Sequence, residues 1–136
     1  MPIEYDYDQD LNIVYSHPFG NVSTAEIVAY FKDIAGDDRI SDGFLEVVRL
    51  EKVEDFTFSS DQAANIAVAF NEIREKRGVS STVFIGTSDM QYGVGRMFQA
   101  FMDYHCPGHD VHVVHSEEEA REVVKKRGGQ HIAKRD

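Results

Sequence analysis

Ile27, Tyr30, Phe31 and Ile34 recur at i, i+3, i+4 and i+7, and Ala63, Ile66, Ala67, Phe70 and Ile73 repeat the pattern further on. Such spacing puts apolar side chains on one face of a helix. It predicts a first helix over 24–35 and a second over 60–77. A third is predicted over 89–105, stopping before Pro107, and a fourth over 117–127, with Gly128-Gly129 beyond. Each predicted start carries the same signal: Ser23-Thr24-Ala25-Glu26, Ser59-Ser60-Asp61-Gln62, Ser88-Asp89-Met90-Gln91 and Ser116-Glu117-Glu118-Glu119. In a capping box the serine oxygen accepts from the N–H three residues on, and the Glu or Gln side chain reaches back to the serine's own N–H. Val22 can staple to Ile27, and Gly36 and Gly78 suit helix exits. Gly93 and Gly95 cost the start of the third helix roughly 1 kcal/mol each relative to alanine, so they either loosen it or allow close packing.

Between the helices lie short β-rich runs. Residues 3–7 and 11–15 flank Asp8-Gln9-Asp10 and predict an antiparallel hairpin. Residues 44–50 read as a strand. Residues 82–85 and 111–114 are apolar on both faces, as interior strands covered by helices should be. Residues 53–58 read as a short extended piece or a loop. The order β-β-α-β-α-β-α-β-α predicts a single α/β domain: a mixed, mainly parallel sheet with about four helices and an N-terminal antiparallel hairpin. The domain is expected to span residues 1–127, with a disordered tail at 128–136. Ile27, Phe31, Val47, Ile66, Phe70, Phe84 and Val113 are expected in the core.

Charge narrows the functional classes. The 136 residues carry a net charge of −10, but unevenly: residues 1–120 hold 8 basic and 22 acidic side chains, residues 121–136 hold 6 and 2. An acidic body repels nucleic-acid phosphates and anionic lipid headgroups, so neither is an expected partner. The basic end suits a helix C-terminus. One cysteine, Cys106, excludes an intrachain disulfide and fits a reducing compartment. Met-Pro-Ile-Glu-Tyr-Asp lacks the basic start and apolar stretch of a secretory leader, and no apolar run reaches the roughly 20 residues that span a bilayer. The expectation is a cytoplasmic protein.

The densest group of metal-binding residue types is His105, Cys106, His109, His112 and His115. Pro107-Gly108 forces a turn within it, and His112 and His115, three apart on a strand, point to opposite faces. The expectation is exposed loop and strand-end histidines, Cys106 as a small hydrophobe and no metal site. No G-x-S-x-G elbow marks a nucleophile. Gly93-Val94-Gly95-Arg96 lacks the third glycine and the Lys-Ser/Thr of phosphate-binding loops, so no cofactor is implied. Met97, Phe98, Phe101 and Met102 read as core, and Glu117, Glu118 and Glu119 as a solvated helix start. Ser59 and Ser60 sit where free N–H groups and positive potential can accept an added phosphate, although Ser59 is already explained as a cap.

Two stretches carry a family likeness: Asp55-Phe56-Thr57-Phe58-Ser59-Ser60, and Tyr92-Gly93-Val94-Gly95-Arg96-Met97-Phe98. With the element order, they make residues 3–126 resemble STAS domains, the fold of anti-anti-sigma factors, and especially the bacterial SpoIIAA-like group. The resemblance implies a non-enzymatic domain that binds a protein partner and is phospho-regulated at the start of the second helix. The family motif there reads Asp-Ser-Ser-Gly or Asp-Ser-Thr-Gly; here Ser59 and Ser60 match, while Phe58 stands for the acidic residue and Asp61 for the glycine. It also implies a ligand or partner surface at Tyr92, Gly93, Gly95, Arg96 and Met97. The group is also compared with Sec14-type lipid-binding domains, which makes a small apolar ligand under the third helix the alternative. The partner's identity and homo-oligomer formation are left open.

Overall fold

The computed structural model describes the backbone of residues 3–135, with side chains except those of Ser60 and residues 127–135. The chain runs β1 (Glu4–Asp8), β2 (Ile13–His17), β3 (Phe19–Ser23), α1 (Thr24–Ala35), β4 (Leu45–Arg49), β5 (Lys52–Thr57), α2 (Ser60–Arg77), β6 (Ser81–Ile85), α3 (Asp89–His105), β7 (Asp110–Val114) and α4 (Glu117–Arg135). Five strands form one sheet in the order β1-β2-β4-β6-β7. β1 pairs antiparallel with β2, and the other pairings are parallel. The hairpin turn is held by Asp8 Oδ1, which accepts from the Leu11 N–H, and by Asn12, whose φ of 56° turns the chain. Asn tolerates that left-handed conformation better than most residues.

One strand was not anticipated, and one extended run has a sharper role than expected. β3 and β5 pair in parallel as a separate two-stranded sheet. Phe19-Gly20-Asn21 looks like a turn, and Gly20 does take a φ of 66°, at an irregularity in the β3–β5 register. α4 does not stop at Arg127: its backbone stays helical to Arg135, through Gly128-Gly129. Glycine lowers helix propensity without forbidding the helix.

All four serines cap their helices, but only two of the four expected capping boxes close. Ser59 and Ser88 form complete capping boxes with Gln62 and Gln91. Ser23 accepts from the Glu26 N–H, but its hydroxyl meets the Glu26 carboxylate itself. Ser116 accepts from the Glu119 N–H, while the Glu119 carboxylate reaches one residue further back, to the His115 N–H.

Side chains alternate across the sheet with period two. Ile13, Leu45, Val47, Val83, Ile85 and Val114 share one apolar cluster with Ala120, against which Val123 and Val124 of α4 pack. Val14, Val48, Phe84 and Val111 belong to a larger cluster with α1, α2 and α3. Of the expected core residues, Ile27, Val47, Ile66, Phe70 and Phe84 are buried, whereas Phe31 and Val113 are only partly so.

Candidate functional site

The helices of the larger layer do not close evenly. α3 lies tight on the sheet at Gly95, where an added Cβ would meet Val113 Cγ1 at 2.8 Å and Phe84 Cβ at 3.3 Å. Gly95 is therefore a close-packing point, while Gly93 faces open space. Further along, Gln99 donates to the Val111 carbonyl at 2.9 Å, and Asn71 of α2 donates to the His105 carbonyl at 2.9 Å. Between these ties, Phe98, Phe101 and Met102 roof a cavity of about 70 Å³ over the sheet. Beside it, α2 and α3 bound a surface groove of about 400 Å³, lined by Phe58, Ser59, Ala63, Met97 and His105. Ile66, Phe98 and Phe101 line both, so these side chains are the wall between groove and cavity. Four phenylalanines meet there: Phe98 lies 5.1 Å from Phe56, 5.7 Å from Phe58 and 5.7 Å from Phe84, centroid to centroid.

The cavity floor holds a charged group in an otherwise apolar setting. Glu46 sits on β4 between Val14 of β2 and Thr82 of β6, with Val111 beyond. It is 5% exposed beneath the helices on its side of the sheet, so it has lost most of its contact with bulk water. Tyr30 of α1 donates to its Oε2 at 2.6 Å and Thr82 donates to its Oε1 at 3.0 Å. With its one proton committed to Glu46, Thr82 Oγ1 accepts from His109 Nε2, 2.9 Å away. Burial raises the Glu46 carboxyl above its ordinary value, the two hydrogen bonds opposing but not cancelling the effect. Burial, reinforced by the neighbouring Glu46, holds the Tyr30 phenol well above its usual range. Ser16, 1% exposed, and Pro18 complete the floor on the β2 side.

His109 corrects the sequence reading. It is 6% exposed, bonded to Thr82 and packed edge-on against Phe70 at 4.9 Å, so it is a core histidine rather than a loop one. The other members of the group are scattered. Cys106 is buried, with its thiol pushed up by burial. His112 pairs with Asp110, and His115 stacks on Tyr92 at 3.9 Å. Among the described residues no three His, Cys, Asp or Glu side chains gather to hold a metal ion. The chain Glu46–Thr82–His109 has hydroxyl, imidazole and carboxylate, but in the wrong order for a nucleophile. The hydroxyl gives its proton to the acid, receives one from the histidine and is fully buried.

The other expected site residues divide. Ser59 and Met97 come together on the groove. Ser59 is exposed, with its oxygen accepting from the Gln62 N–H at 3.2 Å and its N–H donating to Gln62 Oε1 at 2.8 Å. The Ser60 side chain lies outside the described residues. Tyr92 turns toward His115, Gly95 toward the sheet, and Arg96 is exposed beside Met97. Glu46 was missed. The available signal was parity, since Glu46 shares its face with Val48 on a strand whose other face, Leu45 and Val47, is also apolar.

No family model matches the chain, and no curated protein matches it. Solved structures do. An uncharacterised protein of the DUF3478 family with a SpoIIAA-like fold, from Shewanella loihica PV-4, superposes with a TM-score of 0.55 at 10% identity, covering 90% of this chain and 91% of that one. The anti-sigma factor antagonist SpoIIAA, in its unphosphorylated form, superposes with a TM-score of 0.53 at 13% identity, covering 90% and 97%. The fold is SpoIIAA-like. Among the described residues no helix is long and apolar enough to cross a membrane.

Proposed function

We infer that this chain is a non-enzymatic regulatory domain that docks a protein partner on the face formed by the start of α2 and the outer side of α3. The observation that carries the reading is the outward-facing, capped start of α2 beside an apolar groove, within a SpoIIAA-like fold. Met97, 45% exposed, and the rings of Phe58 and Phe101 offer apolar contact there. The Ser59 oxygen already serves as the helix cap by accepting from the Gln62 N–H, so the regulatory phosphate is assigned to Ser60, which carries no capping duty. It would add about 1.5–2 negative charges beside the exposed Glu54, Asp55 and Asp61, driving off an acidic partner or breaking the docking surface. The test is affinity capture with wild type, Met97→Glu, Ser60→Asp and, as a distant exposed control, Leu11→Glu. The reading expects one set of proteins held by wild type and Leu11→Glu and lost by Met97→Glu and Ser60→Asp. Retention by Met97→Glu contradicts the docking face, and retention by Ser60→Asp alone contradicts the phosphoswitch.

A second reading, a small apolar ligand held between α2 and α3, is favoured by the apolar pocket under α3 that adjoins the groove. A dye that binds saturably and is displaced by filling the cavity supports it.

A further inference from the structure

Resting on that second reading, we propose that the cavity under α3 selects an uncharged, mainly aromatic or aliphatic small molecule carrying one hydrogen-bond donor, which enters from the α2–α3 groove and donates to Glu46. Three observations converge on this. The first is the cost of Glu46. A carboxylate on a helix-covered sheet face loses several kcal/mol of solvation, and well-packed apolar residues at such places are as stable or more so. Folding alone therefore does not call for a glutamate between Val14 and Thr82.

The second is spare acceptor capacity beside empty space. Two carboxylate oxygens offer about four lone-pair sites. Tyr30 and Thr82 use one on each oxygen, and Glu46 lines the cavity. A ligand N–H or O–H can be satisfied there without displacing either partner, while the surrounding Ile27, Phe70 and Phe84 accept its apolar body.

The third is charge. Glu46 lies inside, and Glu54, Asp55 and Asp61 are exposed on the segments leading to the groove. Carboxylate, phosphate and sulfonate ligands meet like charge at both ends. Size agrees with a ligand shared between the two spaces. The cavity of about 70 Å³ is smaller than the roughly 150 Å³ apolar cavities that hold benzene, so a ring enters it only as Phe98 and Phe101, which line both spaces, turn aside and join it to the groove. The rest of the ligand then lies in the groove.

Two dyes of one skeleton test this. N-phenyl-1-naphthylamine is neutral with a single N–H, and 8-anilinonaphthalene-1-sulfonate adds a sulfonate. Fluorescence titration of the whole chain should give saturable 1:1 binding of the neutral dye, with the sulfonate at least ~10-fold weaker. 1-Phenoxynaphthalene, which lacks the donor, should compete about 10-fold more weakly than the neutral dye. Glu46→Gln and Glu46→Leu should both reduce the penalty on the sulfonate, and Glu46→Leu should erase the preference for the N–H. Ala67→Val, which places methyl groups in the cavity, should weaken the neutral dye about 10-fold with an unchanged circular dichroism spectrum. No saturable binding of either dye overturns the ligand-binding reading itself. Binding of both dyes with equal affinity, still blocked by Ala67→Val, keeps that reading and overturns the role given to Glu46. Binding indifferent to Ala67→Val overturns the cavity as the site.

Discussion

On the α4 side of the five-stranded sheet, Ile13, Val47 and Val83 are at most 1% exposed and pack with Ala120 in an apolar cluster. Its margin is sealed by Arg49, which donates to both oxygens of Glu117 at 2.6 and 3.2 Å and lies 4.8 Å over the Tyr15 ring. On the other side, the same strands present Ser16, Glu46 and Thr82, and three helices leave a cavity above them. The two faces belong to the same strands and differ only in residue parity. One is filled as a core should be. The other keeps a charge and a void that close packing would have removed, and places them beneath the groove that the functional readings use.

Truncation on each face should separate them most strongly. Ile13→Ala, in the filled face, is expected to cost about 4 kcal/mol. Ile66→Ala, in the cavity wall, is expected to cost about 2 kcal/mol, because fewer contacts are lost where space already exists. Urea denaturation measures both, and equal costs would show that the cavity side is as tightly packed as the other. His109→Ala should cost about 2 kcal/mol, since it removes a buried ring and the donor to Thr82. A loss below a few tenths of a kcal/mol would restore the reading of His109 as a loop residue. Ser59→Ala should cost about 1 kcal/mol, the usual worth of a serine N-cap. Thermal melts that detect no change would leave the α2 start without the capping role assigned to it.

What could be read from the sequence follows the range of the interaction concerned. Caps act over three residues, and the serines at 23, 59, 88 and 116 all mark real helix starts. Helical faces and the antiparallel hairpin were equally local. β3 was hidden because its partner is about thirty residues away and because Gly20-Asn21 resembles a turn. His109 follows Pro107-Gly108, a turn signal, and only the approach of Phe70 and Thr82 buries it. The groove was half legible: Ser59 was singled out as a cap and phosphate site, and Met97 both as a core residue, which its 45% exposure corrects, and as part of a ligand or partner surface, while Gly95, expected with it there, turned out to pin α3 to the sheet. Glu46 looked like one polar residue in an apolar strand, and its meaning depends on α1, β6 and the cavity together.

The contrast between the faces rests on Glu46 being held for a purpose other than stability. Its carboxyl is raised in the folded chain, so folding makes it easier to protonate than it is in the unfolded chain. The stabilising contribution of that form is complete below the ordinary value of 4.5 and is lost as pH rises through the raised folded value. The most direct measurement is the stability of wild type and the triple variant Tyr30→Phe/Glu46→Leu/Thr82→Val, which removes the carboxyl together with both of its donors, by urea denaturation from pH 4 to pH 8. The account predicts that the triple variant is as stable as wild type or up to about 3 kcal/mol more stable near neutrality, with the advantage shrinking toward pH 4. A triple variant several kcal/mol less stable than wild type at neutral pH would make the Glu46 cluster structural and contradict the account.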